Sequence, residues 1–483
     1  MKQNFTNLVS IAFVGGLVGR GLRYGFNIVI ARGLGPDALG VVAFGLVVMK
    51  AISVVTRMGL DQAAQKYIPI YLSEEEPALV SGTTLLCIGL PTLVGAAISG
   101  SIYLQRRTIS NVLGTDLGVT TQLFLVGVPL FSTMMVAATA TRGFKETKYY
   151  VYTREIGQSI VAFVLAVVGA YVLSDVQAVI FGYLISLGFG AVLAISFLSY
   201  QGAFSFDVRP SVPLREVLGF ALPLTIAAVT LYLVTWTDIL MLGLFRTPTE
   251  VGWYQAAYQT SVLLSVVLQA TFSIFPTLAS DLYHTDQHER LGQIYTVVTK
   301  WVVALTLFGF LFLLVFLESI LGIFGTTIRA AETALSILAV GQLAAALVGP
   351  AGLLLTMSEY ERLQMVNSVL VSLLNIALNY ILIQEFGIVG AAIATGVSFI
   401  VLNVLRLVQT WYLLGIQPYS RDYWRGLAAV AGAFPIMLLG QTIPLPTVLR
   451  VLLTGVISTT VFAALVWYFG FSDEDVLLLE SLE

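Results

Sequence analysis

Fourteen stretches of this chain are mostly apolar and about 20 residues long, the length a helix needs to cross roughly 30 Å of hydrocarbon. They run roughly 9–32, 39–60, 79–103, 118–141, 151–173, 176–199, 216–244, 251–278, 295–317, 332–356, 363–383, 388–413, 423–442 and 448–470. In lipid a backbone must satisfy its own hydrogen bonds, and runs this long and continuous do so as helices. The expected fold class is an all-α membrane protein with about 14 transmembrane helices. Charged residues make up 11% of the chain, against about 25% in soluble domains, so no large soluble domain remains. The first run begins near Val9 and contains two arginines. It reads as a permanent span rather than a cleaved signal. The net charge of -3 says little about partners; no nucleic-acid partner is expected of a chain of this kind. The single cysteine, Cys87, excludes an intrachain disulfide.

Arg20 and Arg23 fall near the middle of the first run and Lys50 inside the second. A cation at the bilayer centre costs about 2.5–3.5 kcal/mol on insertion scales, so three facing lipid would oppose insertion by about 7–10 kcal/mol. They are tolerable facing a hydrated cavity or an anion. Arg20, Arg23 and Asn27 are spaced i, i+3, i+7 on one helix face, and Lys50, Ser53, Arg57 and Asp61 share a face of the next. Converging stripes would supply up to four cations to one lumen, where guanidinium forks bind phosphate oxygens in pairs and an ammonium adds a point charge. The competing reading of Arg20 and Arg23 is snorkelling, which their depth disfavours. For Arg57 it is a simple pair with Asp61 at i+4.

The distribution of cations orients the chain. With both termini cytoplasmic, fifteen Lys and Arg fall in inner loops and helix ends, Arg142 and Arg154 among them, against six outside. The outer loops are short, which argues against a membrane glycosyltransferase or polymerase.

Pro36 and Gly40 follow the first span, and Pro248 and Gly252 follow the seventh, at a common offset of 212 residues. Each pair marks a helix, a tight outer turn and a second helix. The expected organisation is an N-terminal six-helix bundle over 1–200, a cytoplasmic linker at 201–215 and a C-terminal six-helix bundle over 216–415. Helices 13 and 14 and an acidic cytoplasmic tail containing Asp473 and Asp475 complete 416–483. Repeated halves around a central site characterise transporters.

Several segments together resemble a known family. They are Ala31–Pro36 with Gly40, Gly59-Leu60-Asp61 with Lys66-Tyr67-Ile68, Asp238–Gly243 with Val251–Tyr254, Phe275-Pro276, and Gly387 with Gly390–Thr395. The chain is similar over nearly its whole length to polysaccharide-biosynthesis flippases of the Wzx type, within the multidrug/oligosaccharidyl-lipid/polysaccharide (MOP) exporter superfamily. The resemblance implies two pseudo-symmetric bundles in a V shape and alternating access through a cationic central cavity. It also implies a polyprenyl- or dolichyl-(di)phosphate-linked oligosaccharide as cargo, no cofactor and no enzymatic activity. It places the chain in the cell membrane as a monomer, alongside glycosyltransferases or a polymerase of the same pathway. Murein flippases likewise line helices 1 and 2 with cations, which Arg20, Arg23 and Lys50 match in kind.

A coupling ion is a further expectation. In the second half, Asp238 is the one carboxylate deep within a span, and Asn375, Asn379 and Thr395 add oxygens from helices 11 and 12. Such a set suits sodium, a hard cation, and some murein flippases bind it in comparable places. An acid would be expected at Asn379, so protonation of Asp238 is the alternative. Two other functions compete: a cation-coupled drug antiporter in which Asp238 dominates, and a non-transporting component of glycan assembly.

Overall fold

The expected spans are helical over most of their described length in the computed structural model, which describes residues 2–108, 119–205, 208–273, 275–325 and 329–469. The acidic tail expected at the C-terminus lies outside the described residues. The described chain contains helices and no strand. Among the described residues, twelve helices are long and apolar enough to cross a membrane. One of them, Glu361–Leu414, carries the two expected spans 363–383 and 388–413, separated at Gly387 (φ 57, ψ -131). Only glycine adopts that backbone conformation without strain. The first helix, Lys2–Leu34, carries the expected span 9–32.

The chain divides into two units, Met1–Gly252 and Trp253–Glu483. The first contains α1 (Lys2–Leu34), α2 (Pro36–Arg57), α3 (Leu60–Ser73), α4 (Pro77–Leu104), α5 (Val119–Ala140), α6 (Thr147–Val172), α7 (Val176–Tyr200) and α8 (Leu214–Phe245). Helix α8 groups with this unit because it packs on α2 and α3. The second unit contains the helices Phe275–His284, His288–Val315, Arg329–Val348, Ala351–Met357, Glu361–Leu414, Tyr423–Gln441 and Thr447–Phe469. In it, Arg329–Val348 packs against Glu361–Leu414, and Tyr423–Gln441 against Thr447–Phe469. The expected span 332–356 is split at Gly349 and Pro350, where the chain leaves one helix and starts Ala351–Met357.

Helix α3 is an element that counting apolar runs does not find. It is short and amphipathic. Leu60, Ala63, Ala64, Tyr67, Ile68 and Tyr71 recur at helical spacing and are buried, forming one stripe. That stripe joins Val136, Ala140, Val217 and Ala221 in one buried core cluster.

The repeated turns meet each other. Pro36 and Pro248 each occupy the first helical position, where a missing N–H costs nothing. A Cβ on Gly40 would collide with the Pro248 carbonyl, and a Cβ on Gly252 with that of Pro36. Thr249 donates to Asp37 Oδ1 at 3.2 Å, linking two positions 212 residues apart. The repeat therefore marks a reciprocal backbone contact in which each glycine receives the other turn's carbonyl.

Helices α1 and α6 run parallel along their length. A Cβ at Gly15 would strike Val151, one at Gly25 would lie 2.9 Å from Phe163, and one at Gly33 would lie 2.9 Å from Ala170. Small residues let backbones approach where hydrocarbon gives no hydrophobic drive to association.

Replacing Gly40 by alanine should lower the stability of the purified protein by about 1–3 kcal/mol, the cost of overpacking a fixed contact. Thermal unfolding reads this as a drop in Tm. Gly89, whose Cβ would meet nothing within 4 Å, is the control: Gly89→Ala should leave Tm unchanged or raise it.

Candidate functional site

The first unit brings its charges together where α1 faces α6. Gly19 makes the approach possible, since a Cβ there would lie 2.6 Å from the Glu155 carbonyl and 2.7 Å from its carboxylate. Arg23 is one turn further along α1. Helical side chains lean toward the N-terminus, so Arg23 reaches back to the level of Gly19. There its Nη2 donates to Glu155 Oε2 at 2.8 Å. Its Nη1 lies 3.5 Å from Ser159 Oγ.

Glu155 is presented by an irregular stretch of α6. Residues Val151–Gly157 form a π-helical turn, which widens the helix by one residue and recurs at functional sites. The Ser159 hydroxyl closes this turn by donating to the Arg154 carbonyl at 3.3 Å. Arg154 Nη1 lies 3.6 Å from Glu155 Oε1 and donates to the Tyr150 hydroxyl. The Arg142 guanidinium stacks 3.5 Å over the Tyr150 ring, within electrostatic reach of Arg154 and Glu155.

Lys50 on α2 belongs to the same group. Its ammonium stands 6.0 Å over the Phe131 ring, and Arg23 and Arg154 are the charges that act on it. Among the described residues it has no carboxylate partner. Three cations, Arg23, Arg142 and Arg154, thus gather around one acid, Glu155, and Lys50 is within electrostatic reach of two of them, Arg23 and Arg154.

The other expected residues are placed as follows. Arg20 is exposed and makes no ion pair or hydrogen bond among the described residues. Asn27 is buried, and its amide donates to the Arg23 carbonyl at 2.7 Å. Arg57 pairs with Asp61 at 2.7 Å, the simpler of its two sequence readings. Asp238 is buried in the first unit and accepts from the Ile239 N–H at 2.9 Å. Asn375, Asn379 and Thr395 are buried in the second. The Asn379 amide donates at 3.0 Å to the side chain of Asn375, while its own Oδ1 is buried with no hydrogen-bond partner.

Arg142, Arg154 and Glu155 are members of this charged group that the sequence reading did not single out. It assigned both arginines to inner helix ends and read no role for the acid. The available signal was an adjacent Arg-Glu pair inside an apolar run.

A sequence profile of the family described as polysaccharide biosynthesis protein matches residues 6–280, more than half of the chain. The chain belongs to this family. A second profile, MatE, matches residues 223–381. The probable low-salt glycan biosynthesis flippase of Haloferax volcanii is 27% identical over 418 residues, 85% of either chain. The lipid II flippase MurJ, in an inward closed conformation, superposes with a TM-score of 0.69 at 14% identity, covering 95% of this chain and 98% of that one. An inward-facing MATE family multidrug resistance transporter of the MOP superfamily gives 0.66 at 15% identity, covering 82% and 95%. The fold is that of this superfamily, and the protein is a multi-pass membrane protein. The resemblance read from the sequence is borne out.

Lys50, a cation among cations with no acid of its own, should destabilise the fold that holds it. Lys50→Met should raise thermal stability by about 1 kcal/mol or more, as when buried charges are replaced by apolar groups of similar volume. A lower Tm in this variant would mean that Lys50 serves the fold rather than a ligand.

Proposed function

We propose that this protein is a flippase of glycan biosynthesis that carries a polyprenyl- or dolichyl-(di)phosphate-linked oligosaccharide from the cytoplasmic to the outer leaflet by alternating access. Membership of the polysaccharide biosynthesis family and the Haloferax relative support a flippase. The chemistry of the cargo rests on one observation, the excess of cations around Glu155. A diphosphate headgroup is rejected by hydrocarbon. Fixed guanidinium and ammonium groups replace its water, with Arg23 and Arg154 gripping oxygens in pairs and Lys50 adding a compact charge. A drug antiporter for cations would want the opposite sign at this place. The reading includes a cell-membrane location with both termini cytoplasmic, and action beside the glycosyltransferases that build the cargo.

Ion coupling is part of the same proposal. In the second unit, the buried Asn379 Oδ1, which has no hydrogen-bond partner, supports an oxygen-lined cation position with Asn375 and Thr395; in the first, buried Asp238 offers a carboxylate for protonation. Replacing sodium by choline, or Asp238→Asn, should then slow delivery.

The test is outward movement of a fluorescent polyprenyl-diphosphate disaccharide in proteoliposomes, read by an external quencher. Arg23→Ala and Lys50→Ala should each slow it by about ten-fold or more, the equivalent of one lost charge-assisted hydrogen bond. Arg23→Lys should keep part of the rate. Wild-type rates in both alanine variants, with unchanged Tm, would end the cationic mechanism.

A further inference from the structure

We propose that Glu155 is a resident counter-ion that sets how readily the cargo's phosphate is released; this rests on the flippase reading above. Its two carboxylate oxygens face different guanidiniums, Oε2 toward Arg23 at 2.8 Å and Oε1 toward Arg154 at 3.6 Å. The Glu155 side chain is 13% exposed, whereas those of Arg23 and Arg154 are 42% and 39% exposed. The acid is thus set behind the two cations, which keep their outer edges open. Each guanidinium has five N–H donors. Arg23 directs one nitrogen to Glu155 and reaches Ser159 only at 3.5 Å, so donors remain for an arriving anion.

Three features fix Glu155 in that position. The π-helical turn carries it, the Ser159 hydroxyl braces the turn, and the absence of a side chain at Gly19 leaves room for the carboxylate. The carboxylate and the cargo's phosphate compete for the same cations. Transport needs binding strong enough to admit the headgroup and weak enough to let it go. Four cations unopposed would hold a diphosphate and stall. With the carboxylate in place, each arginine has an internal ligand to return to, and the headgroup leaves into water at the outer face.

The alternative is that Glu155 merely clamps α1 to α6. The experiment separates the two by measuring affinity and turnover together. Farnesyl diphosphate is titrated onto the purified protein, with inorganic pyrophosphate reporting the headgroup alone and farnesol as the uncharged control. Turnover is read with the fluorescent disaccharide lipid. Glu155→Gln keeps the shape and one acceptor oxygen but removes the charge. It should lower the Kd for farnesyl diphosphate and pyrophosphate by about ten-fold and slow outward movement by a similar factor. Glu155→Asp, which keeps the charge, should stay near wild type in both and serves if the glutamine variant does not fold. Equal or weaker binding in Glu155→Gln, while wild type binds, would overturn the counter-ion role and leave the flippase reading intact. Absence of diphosphate binding by wild type itself would overturn that reading, and this inference with it.

Discussion

Hydrocarbon supplies no hydrogen bonds and no counter-charge, and the structure follows from that constraint. The apolar runs close most of their described backbone internally as helices. The same medium gives helices no hydrophobic reason to associate, so contact comes from backbones brought close at small residues. Gly15, Gly19, Gly25 and Gly33 line the side of α1 that meets α6, and Gly40 and Gly252 let two turns touch carbonyl to backbone. The charged group is a consequence of the first contact. Glu155 can stand beside Arg23 because position 19 has no side chain.

This arrangement makes the cationic group a property of packing as much as of composition. Mid-span arginine and lysine are costly in lipid, and one carboxylate among four cations leaves most of that charge unanswered within the protein. A fold selected for stability alone would have paired or removed them.

Parts of this site were legible in the sequence and parts were not. Arg23 and Lys50 stand out because a charge inside an apolar run is rare. The Pro-x-x-x-Gly repeat stands out because its offset is fixed, although nothing in the spacing says that the copies touch. Glu155 and Arg154 were hidden by their position near one end of a span, where charges are ordinary. Their orientation depends on a π-helical turn, and no local pattern announces an extra residue in a helix. Arg57 had two readings of equal weight, and only coordinates separate them. Helix α3 escaped because it is too short and polar to read as a span, and its apolar stripe has meaning only once α4, α5 and α8 are there to cover it.

The sequence by itself determined the helical class, the family and the presence of cations inside apolar runs, and its count of about fourteen spans agrees only roughly with the twelve candidate spans among the described residues. Each follows from local hydropathy and residue identity, which act without reference to distant parts of the chain. Tertiary structure alone decided which cations stand together, that Arg20 stays apart from them, that Arg57 is taken by Asp61, and that a single acid is set among the rest. Those outcomes depend on the rotation and closeness of helices more than a hundred residues apart. That is a matter of side-chain volume at glycine contacts and of one widened helical turn, and neither is encoded in the order of polar and apolar residues.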